Sequence, residues 1–447
     1  MGCRVTRMGG KFLPTGPALY VLATASIGVA LILLGMSPNV MGVGVGSAIV
    51  VALFFARDPT WRIAALLALI ASNLAFYANL PSGSFLLLFA IFLILDIGRL
   101  ISLYTRAQLL TLLFAVAYLL SRDHSRYGLL VVAGLLFAFY LRLALIGSNW
   151  ILLLEPVAVG GSINALVGLS NPGANYSIVQ GGSTVLVNRG VAEGLDPNAT
   201  AGLLLLGLGA AVTIAVVSHG AIRASALLLA IVITAGIAST ASRTAVAATM
   251  LIALSAVVSA FRGRGRGSAS MKLLILPIMG VSAYLIFEVL VHNQSLYRFN
   301  LLRLDAGGRD DLYNSWIDTI SLHPFSLFFG FGDIPTLGGD LPSLPPHNSL
   351  LELAAHFGLV GLIFVIGTLI ILWAPTPRIP ATLRGTAVAL LSISSSIGLL
   401  SALLPWIGLT LLLARRERQN GASREVVVPG VAARLTDPLS SIDSSRC

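Results

Sequence analysis

Residues 349–373 read SLLELAAHFGLVGLIFVIGTLIILW, and they decide the class of protein to which the chain belongs. Glu352 and His356 are the only titratable side chains in this stretch. About 20 consecutive apolar residues are enough to cross a bilayer as a helix, so this stretch is predicted to span a membrane. Ser349 and Glu352 have the S-x-x-E spacing of a capping box, which predicts that the helix begins at Ser349.

The rest of the chain has the same character. Of its 447 residues, 56 % are apolar and only 10 % are charged, and the mean hydropathy is +0.91. Because soluble domains are about 25 % charged, the composition excludes a water-soluble globular protein and indicates an all-α, polytopic integral membrane protein. Further apolar runs lie at 17–36, 40–56, 63–80, 84–98, 107–120, 127–146, 201–217, 222–240, 244–261, 271–291, 383–400 and 402–414.

The basic residues indicate how these runs are oriented. The net charge is +10, and in a membrane protein such an excess marks cytosolic loops rather than nucleic-acid binding. Arg262, Arg264 and Arg266 are therefore predicted to lie in the cytosol, as are both chain termini. Counting spans outward from this cluster places two long polar gaps, residues 147–200 and 292–348, outside the cytosol.

The domain organisation follows from these gaps. Residues 1–414 are predicted to form a transmembrane helical domain, and residues 415–447 a disordered cytoplasmic tail. An even number of apolar runs precedes residue 147, whereas a cytosolic N-terminus and an external first loop require an odd number. The run at 107–120 is short and has arginines on both sides, so we interpret it as re-entrant or interfacial, which leaves about twelve spans.

Three arginines lie near predicted external ends of spans: Arg189 in the first gap, Arg243 in a tight turn, and Arg309 before an amphipathic helix in the second gap. Planar guanidinium groups bind phosphate oxygens in pairs, so three of them at one external mouth would form a diphosphate site. A structural interpretation stays open for each, because Arg309 can pair with the acidic residues after it and Arg243 can reach the lipid headgroups.

His347 follows two prolines and immediately precedes the helix predicted to begin at Ser349. A histidine at an external membrane mouth can act as a base near neutral pH. The alternative is a polar loop residue beside a helix end, and His292, His323 and His356 have similar claims from composition alone. No metal site is predicted, because the dipole of the following helix already explains the adjacent acids Asp310 and Asp311. No cofactor motif occurs either.

The order of these motifs resembles the O-antigen ligase and O-antigen polymerase family. The motifs run from R-G and D-P-N before a span, through an S-R turn, G-R-x-x-x-x-x-x-W, H-P-F and G-F-G, to H-N-S-L-L-E-L-A-A-H-F-G-L-V-G-L. They cover about residues 185–415, and the last stretch is the most specific. Residues 325–329 lengthen the interval between H-P and G-F-G relative to the family's usual H-P-x-x-G-x-G.

The resemblance implies a GT-C-type glycosyltransferase of the bacterial inner membrane with an extracytoplasmic active site. Such an enzyme moves a glycan from an undecaprenyl-diphosphate-linked donor to an acceptor hydroxyl, with inversion and without a metal. By motif, Arg189 and Arg243 contact the diphosphate, His347 is the base or positioning group for the acceptor, and Arg309 and Asn348 complete the substrate-binding set. The implied partners are a glycan or glycolipid acceptor, the lipid bilayer and other envelope polysaccharide assembly proteins, with no nucleic acid.

The motifs leave several functions open. A ligase, a polymerase and a protein oligosaccharyltransferase share the donor and differ in the acceptor, so these residues do not separate them. A transporter or flippase of a lipid-linked envelope precursor is a second hypothesis, and a non-catalytic envelope scaffold is a third. Transporters often contain internal repeats and broken helices at the midplane, whereas here the polar motifs gather on one side.

Overall fold

A computed structural model describes residues 59–73, 83–123, 126–146, 150–170, 174–180, 183–189, 196–262, 309–332, 349–371, 375–376, 379–394, 403–413 and 415–416. The predicted spans at 17–36, 40–56 and 271–291 lie outside these residues, as do most of the predicted tail and the motif residues His347 and Asn348. The described part is mainly helical, and its largest β-element is a hairpin in the first predicted loop.

The first half of the described chain has five helices, the hairpin and then three more helices. Their bounds are α1 Pro59–Ser72, α2 Gly83–Leu103, α3 Arg106–Arg122, α4 Arg126–Ile146, α5 Trp150–Ser170, β1 Ala174–Gln180, β2 Ser183–Arg189, α6 Pro197–Val217, α7 Gly220–Ser239 and α8 Arg243–Arg262. The second half adds α9 Arg309–Leu322, α10 Pro324–Phe329, α11 Ser349–Ile371, β3 Pro375–Thr376, α12 Ala381–Ser394, α13 Leu404–Leu413 and β4 Arg415–Arg416.

Six of the described helices are long and apolar enough to cross a membrane, namely α2, α4, α5, α6, α7 and α11. Shorter apolar helices, α1, α8, α12 and α13, pack among them. The predicted helical membrane protein is thereby confirmed. The hairpin β1–β2 was not expected from an all-α prediction, and it pairs Ala174 with Arg189 in antiparallel register.

Helix α5 corrects the predicted first loop. Residues 147–200 were expected to be one external gap, yet Trp150–Ser170 is a helix that is itself long enough to span. Gly161 in its middle lies so close to Gly207 of α6 that an added Cβ would be 2.7 Å from the Cα of Gly207. Small residues allow such close helix approach in membranes, and they lower the local hydropathy that the prediction used.

Helix α3, Arg106–Arg122, contains the run at 107–120 that we interpret as re-entrant or interfacial. Tyr104, just before α3, stacks on Phe139 near the end of α4 with 3.8 Å between ring centroids. Asp123, just after α3, contacts Gly128 near the start of α4. The helix therefore runs along α4 from one end to the other. Among the described residues, α3 is not one of the six helices that are long and apolar enough to span.

The bundle has two distinguishable ends. We call one the hairpin end, because α5 ends and α6 begins there on either side of β1–β2. Asp196 caps α6 at this end by accepting hydrogen bonds from the N–H groups of Asn198 (2.6 Å) and Ala199 (3.2 Å), as the Asp-Pro pair predicts. At the opposite end, the hydroxyl of Thr213 in α6 contacts that of Thr382 in α12 at 2.9 Å.

A buried charged network joins the first helices near the opposite end. Arg62 of α1 donates a hydrogen bond to Asp96 of α2 at 2.5 Å, and the hydroxyl of Tyr140 of α4 donates to the other carboxylate oxygen at 2.6 Å. Asp96 is only 2 % exposed. A charge placed within a membrane span needs such partners, so this network explains the acid inside an otherwise apolar run.

Candidate functional site

The turn between α7 and α8 lies at the hairpin end. Ser242 donates a hydrogen bond to the side-chain oxygen of Asn198, near the start of α6, at 2.7 Å. The turn is tight, since the buried Ala241 has a φ of 50°, a region that residues other than glycine rarely adopt. Arg243 follows as the first residue of α8, and its side chain is exposed. The turn therefore presents this arginine beside the capped start of α6.

Arg189 lies at the same end by the path of the chain. It is the last residue of β2, where it pairs with Ala174, and Asp196 begins the cap of α6 seven positions later. The backbone positions of Arg189 and Arg243 are thus on one end of the bundle, whereas the side chain of Arg189 is outside the described part.

Arg309 begins helix α9, the amphipathic helix predicted for the second loop. Trp316 and Ile320 of α9 are buried, with exposed fractions of 1 % and 7 %, and they pack with Ala355 of α11. Phe331 and Leu351 cover this small cluster from its sides. The helix that carries Arg309 is therefore fixed against the first half of α11.

Helix α11 is broken at Gly358, whose φ of 66° and ψ of −172° are not helical. The carbonyl oxygens just before the break accept hydrogen bonds from outside the helix. That of Ala355 accepts from the N–H of Phe331 at 2.7 Å, and that of His356 accepts from Gly332 at 3.0 Å. The hydroxyl of Tyr118 in α3 donates to the next one, on Phe357, at 3.1 Å. Buried carbonyl groups need such partners once helical bonding stops.

The same contacts explain the glycines of the G-F-G and F-G-L motifs. A Cβ on Gly330 would lie 2.2 Å from the carbonyl oxygen of His356, and one on Gly358 would lie 2.3 Å from that of Phe328. Both glycines also have positive φ, 74° and 66°. The two motifs, far apart in sequence, therefore form one backbone junction that only glycine fits.

The lengthened interval before G-F-G is accommodated as the short helix α10, Pro324–Phe329. Arg122, at the end of α3, holds the end of this helix. Its Nε donates to the carbonyl oxygen of Phe329 and its Nη2 to that of Gly330, both at 2.9 Å. A cation at the C-terminal carbonyls of a helix is favourable for electrostatic reasons as well.

A buried polar pair lies next to this junction. The Nδ1 of His356 is 2.7 Å from Oδ2 of Asp123, and the two residues are 8 % and 0 % exposed. The ring of Tyr127 stacks on the imidazole with 3.8 Å between centroids and 17° between planes. The pair thus joins the end of α3 to the first half of α11.

Comparison with known proteins bears on this junction directly. One segment of the chain, which begins within α7 and ends within α11, matches a known protein family. Residues 226–366 match the model of the O-antigen ligase family. This match, which covers about one third of the chain, confirms the recognition made from the motifs. No curated protein and no solved structure matches the chain.

The O-antigen ligase segment contains the tight turn at Arg243, the helix that begins at Arg309 and the break at Gly358. Its most specific motif begins at His347 and Asn348, which lie outside the described residues. The helix after them begins at Ser349, as predicted. Ser349 is about 10 Å along the helix from His356 at 1.5 Å per residue, and His356 contacts Asp123. Asp123 lies at the hairpin end, because α4 begins just after it and leads to the opposite end, from which the chain returns through α5 to the hairpin. The start of α11, which is near His356, is therefore also at the hairpin end.

Sequence analysis missed Asp123 and Tyr127 and gave His356 no special weight. The available signal was the spacing of Glu352 and His356, which are four residues apart in an apolar run and so share one helix face. The partner of His356, Asp123, is 233 positions away from it in sequence, and no local pattern links residues at that separation. Within the described ranges, no group of three or more His, Cys, Asp or Glu side chains is arranged to hold a metal.

Proposed function

We propose that the protein is a bacterial membrane glycosyltransferase of the GT-C type. It transfers or polymerises a glycan from an undecaprenyl-diphosphate-linked donor onto an acceptor hydroxyl. The match of residues 226–366 to the O-antigen ligase family supports a membrane enzyme of the ligase or polymerase type. The donor, the acceptor and the chemistry below are parts of the proposal.

The observation that carries the proposal is the common location of the motif-bearing elements. The Ser242–Asn198 contact joins the turn before Arg243 to the start of α6, and α11 begins at the same end of the bundle. In the proposal, Arg189 and Arg243 bind the diphosphate there, with Arg309 as a further contact. A diphosphate leaving group gains negative charge as its bond to the sugar breaks, and preorganised cations stabilise that charge.

The reaction needs a base for the acceptor hydroxyl. In the proposed step, the imidazole of His347 accepts the proton of the hydroxyl, or orients that hydroxyl, while the oxygen attacks the anomeric carbon. The new carbon–oxygen bond forms as the bond to the diphosphate breaks on the opposite face, so the configuration inverts. The electron pair of the broken bond stays on the diphosphate. A positioned base contributes about 10²–10⁴ in rate, and no step uses a metal.

The proposed orientation places the hairpin end outside the cytosol in the bacterial inner membrane, with both termini cytoplasmic. Helix α8 runs from Arg243 at the hairpin end to Arg262, which begins the Arg-Gly-Arg-Gly-Arg sequence. Such a basic loop is typical of the cytosolic side. Nucleotide sugars are cytosolic, so an external site favours a lipid-linked donor. The proposed partners are the lipid-linked donor, a glycan or glycolipid acceptor, the surrounding bilayer and other envelope assembly proteins.

The test is to delete the gene in its host, restore it on a plasmid, and compare the envelope glycans by electrophoresis and mass spectrometry. Accumulation of single lipid-linked repeat units on the external leaflet would support a polymerase. Long lipid-linked chains that are not attached to an acceptor would support a ligase. Accumulation of donor on the cytosolic leaflet would point to a flippase instead, and unchanged glycans would refute the proposal.

A further inference from the structure

We infer that Asp123 and His356 are a positioning pair for the proposed transfer reaction. They fix the part of α11 before Gly358 relative to α3 and α4, and this part directly follows His347 in the sequence. This inference rests on the proposed function. It assigns these two residues a role in the rate of reaction, although neither is placed in contact with substrate.

The part of α11 before Gly358 is a separate short segment. The break at Gly358 interrupts the helix, and the carbonyl oxygens of Ala355 and His356 bond to the G-F-G segment rather than to the next helical turn. The long second part of α11 therefore does not fix the direction of the first part. Contacts from neighbouring elements have to do so.

The contact between Asp123 and His356 has a defined direction. A neutral imidazole that faces a carboxylate through Nδ1 carries its proton there and donates it. At 2.7 Å, this is a short hydrogen bond with a charged acceptor, and such bonds are about twice as strong as neutral ones. Tyr127 stacks on the face of the ring with 3.8 Å between centroids. The stacking restricts the tilt of the imidazole, and the hydrogen bond restricts the direction of its Nδ1.

Stability alone does not require a polar pair at this place. Apolar residues of similar volume often stabilise a buried site as well as an ion pair does, or better. The neighbouring cluster of Trp316, Ile320 and Ala355 shows that apolar packing is available to the same segment. A hydrogen-bonded pair adds a defined distance and direction, which matter when a reacting group must be held within a fraction of an ångström.

The burial of His356 indicates a positioning role rather than direct contact with substrate. His356 is 8 % exposed and its contacting nitrogen is occupied by Asp123. It lies about 10 Å along α11 from Ser349, the first described residue of that helix, at 1.5 Å per residue. His356 therefore acts through the segment that it holds rather than on the substrate.

The test uses the full-length protein in proteoliposomes, with donor lipid extracted from the deletion strain and the envelope lipid fraction as acceptor. The main variant combines Asp123→Leu with His356→Phe, which keeps a ring against Tyr127 and removes the carboxylate of Asp123 together with its partner. We expect kcat to fall at least tenfold, with KM for the donor within threefold of wild type and an unchanged melting temperature. His356→Asn, whose amide N–H can occupy the position of Nδ1, should retain the rate within threefold.

Two outcomes would overturn the inference. Wild-type kcat in the double variant would show that the pair has no influence on the reaction. Loss in His356→Asn as large as in the double variant would show that the hydrogen bond to Asp123 is not what matters. If the double variant does not accumulate, His356→Gln decides, because its amide lies one methylene farther out and should lose the rate that Asn keeps. Tyr104→Phe at the opposite end is the control for general destabilisation, and absence of transfer by the wild type would refute the proposed function itself.

Discussion

The N–H of Gly332 donates to the carbonyl oxygen of His356 at 3.0 Å, so the G-F-G segment bonds to helix α11 immediately before that helix breaks at Gly358. Two motifs of the O-antigen ligase segment are thus parts of one junction. The end of α3 closes it from the other side through Arg122 and Tyr118.

Gly358→Ala should destabilise this junction. The substitution forces a residue with a Cβ into a φ of 66° and places that atom 2.3 Å from the carbonyl oxygen of Phe328. We expect a loss of about 1–3 kcal/mol in stability and a marked loss of glycan transfer, measured by thermal unfolding in detergent and by glycan analysis. Gly367→Ala is the matched control in the same helix, because an added Cβ there meets nothing within 4 Å. Equal stability of the two variants would contradict the junction.

Arg122→Lys should loosen helix α10 although it keeps the charge. Lysine has a single donor group in place of the planar fork that bonds the carbonyl oxygens of Phe329 and Gly330. We expect faster proteolytic cleavage within residues 323–332 and a several-fold lower transfer rate. Arg106→Lys, at the other end of α3, is the control and should change neither. Cleavage at the wild-type rate would mean that Arg122 does not hold α10.

Arg189→Lys and Arg243→Lys should both weaken transfer while the protein inserts normally. Lysine preserves charge but loses bidentate binding of phosphate oxygens, and removing one stabilising donor typically lowers a rate by about 10²–10³. The measurement is the rate of glycan transfer at saturating donor. Arg384→Lys in α12, where the side chain is exposed near the opposite end, serves as the control. An unchanged rate for either variant would leave that arginine with a topological or packing role only.

His347→Ala should abolish transfer without reducing the amount of protein in the membrane. The acceptor hydroxyl would lose the group that takes or orients its proton, and the expected loss is about 10²–10⁴. His323→Ala is the comparison, since His323 is exposed: its Nδ1 is 3.0 Å from the backbone oxygen of Thr319, and its ring meets that of Phe331 edge to face with 5.7 Å between centroids. Near-normal transfer by His347→Ala would remove this residue from the mechanism.

Local patterns predicted much of this structure because the forces behind them are local. The cap at Asp196, the amphipathic helix that begins at Arg309 and the start of α11 at Ser349 all follow from neighbours within one helical turn. Helix α5 escaped prediction because its polar and small residues serve helix packing. Asn164, for example, donates to the carbonyl oxygen of Ala71 in α1 at 3.1 Å, a contact between helices that hydropathy scores as a polar interruption.

In the candidate site, too, the local features were predicted and the contacts between distant elements were not. Residue types and motif order predicted that Arg243 would begin a helix at a tight turn, and the structure has this turn. The pair of Asp123 and His356 depends on how α3 and α11 pack, and so does the break at Gly358 with its external hydrogen-bond partners. A single sequence carries no periodic signal for a contact between elements more than 200 positions apart.

The network of Arg62, Asp96 and Tyr140 also has a consequence for biogenesis. An isolated arginine or aspartate in a membrane helix opposes insertion, by about 2.5–3.5 kcal/mol at the helix centre and less towards its ends, and Arg62 and Asp96 belong to α1 and α2. Neither helix can leave the translocon alone without carrying an unmatched charge into lipid. The two helices should therefore enter the bilayer together as a preassembled pair. Asp96→Leu alone leaves Arg62 without its carboxylate, so it should stall the nascent chain more severely than the double variant Arg62→Leu with Asp96→Leu.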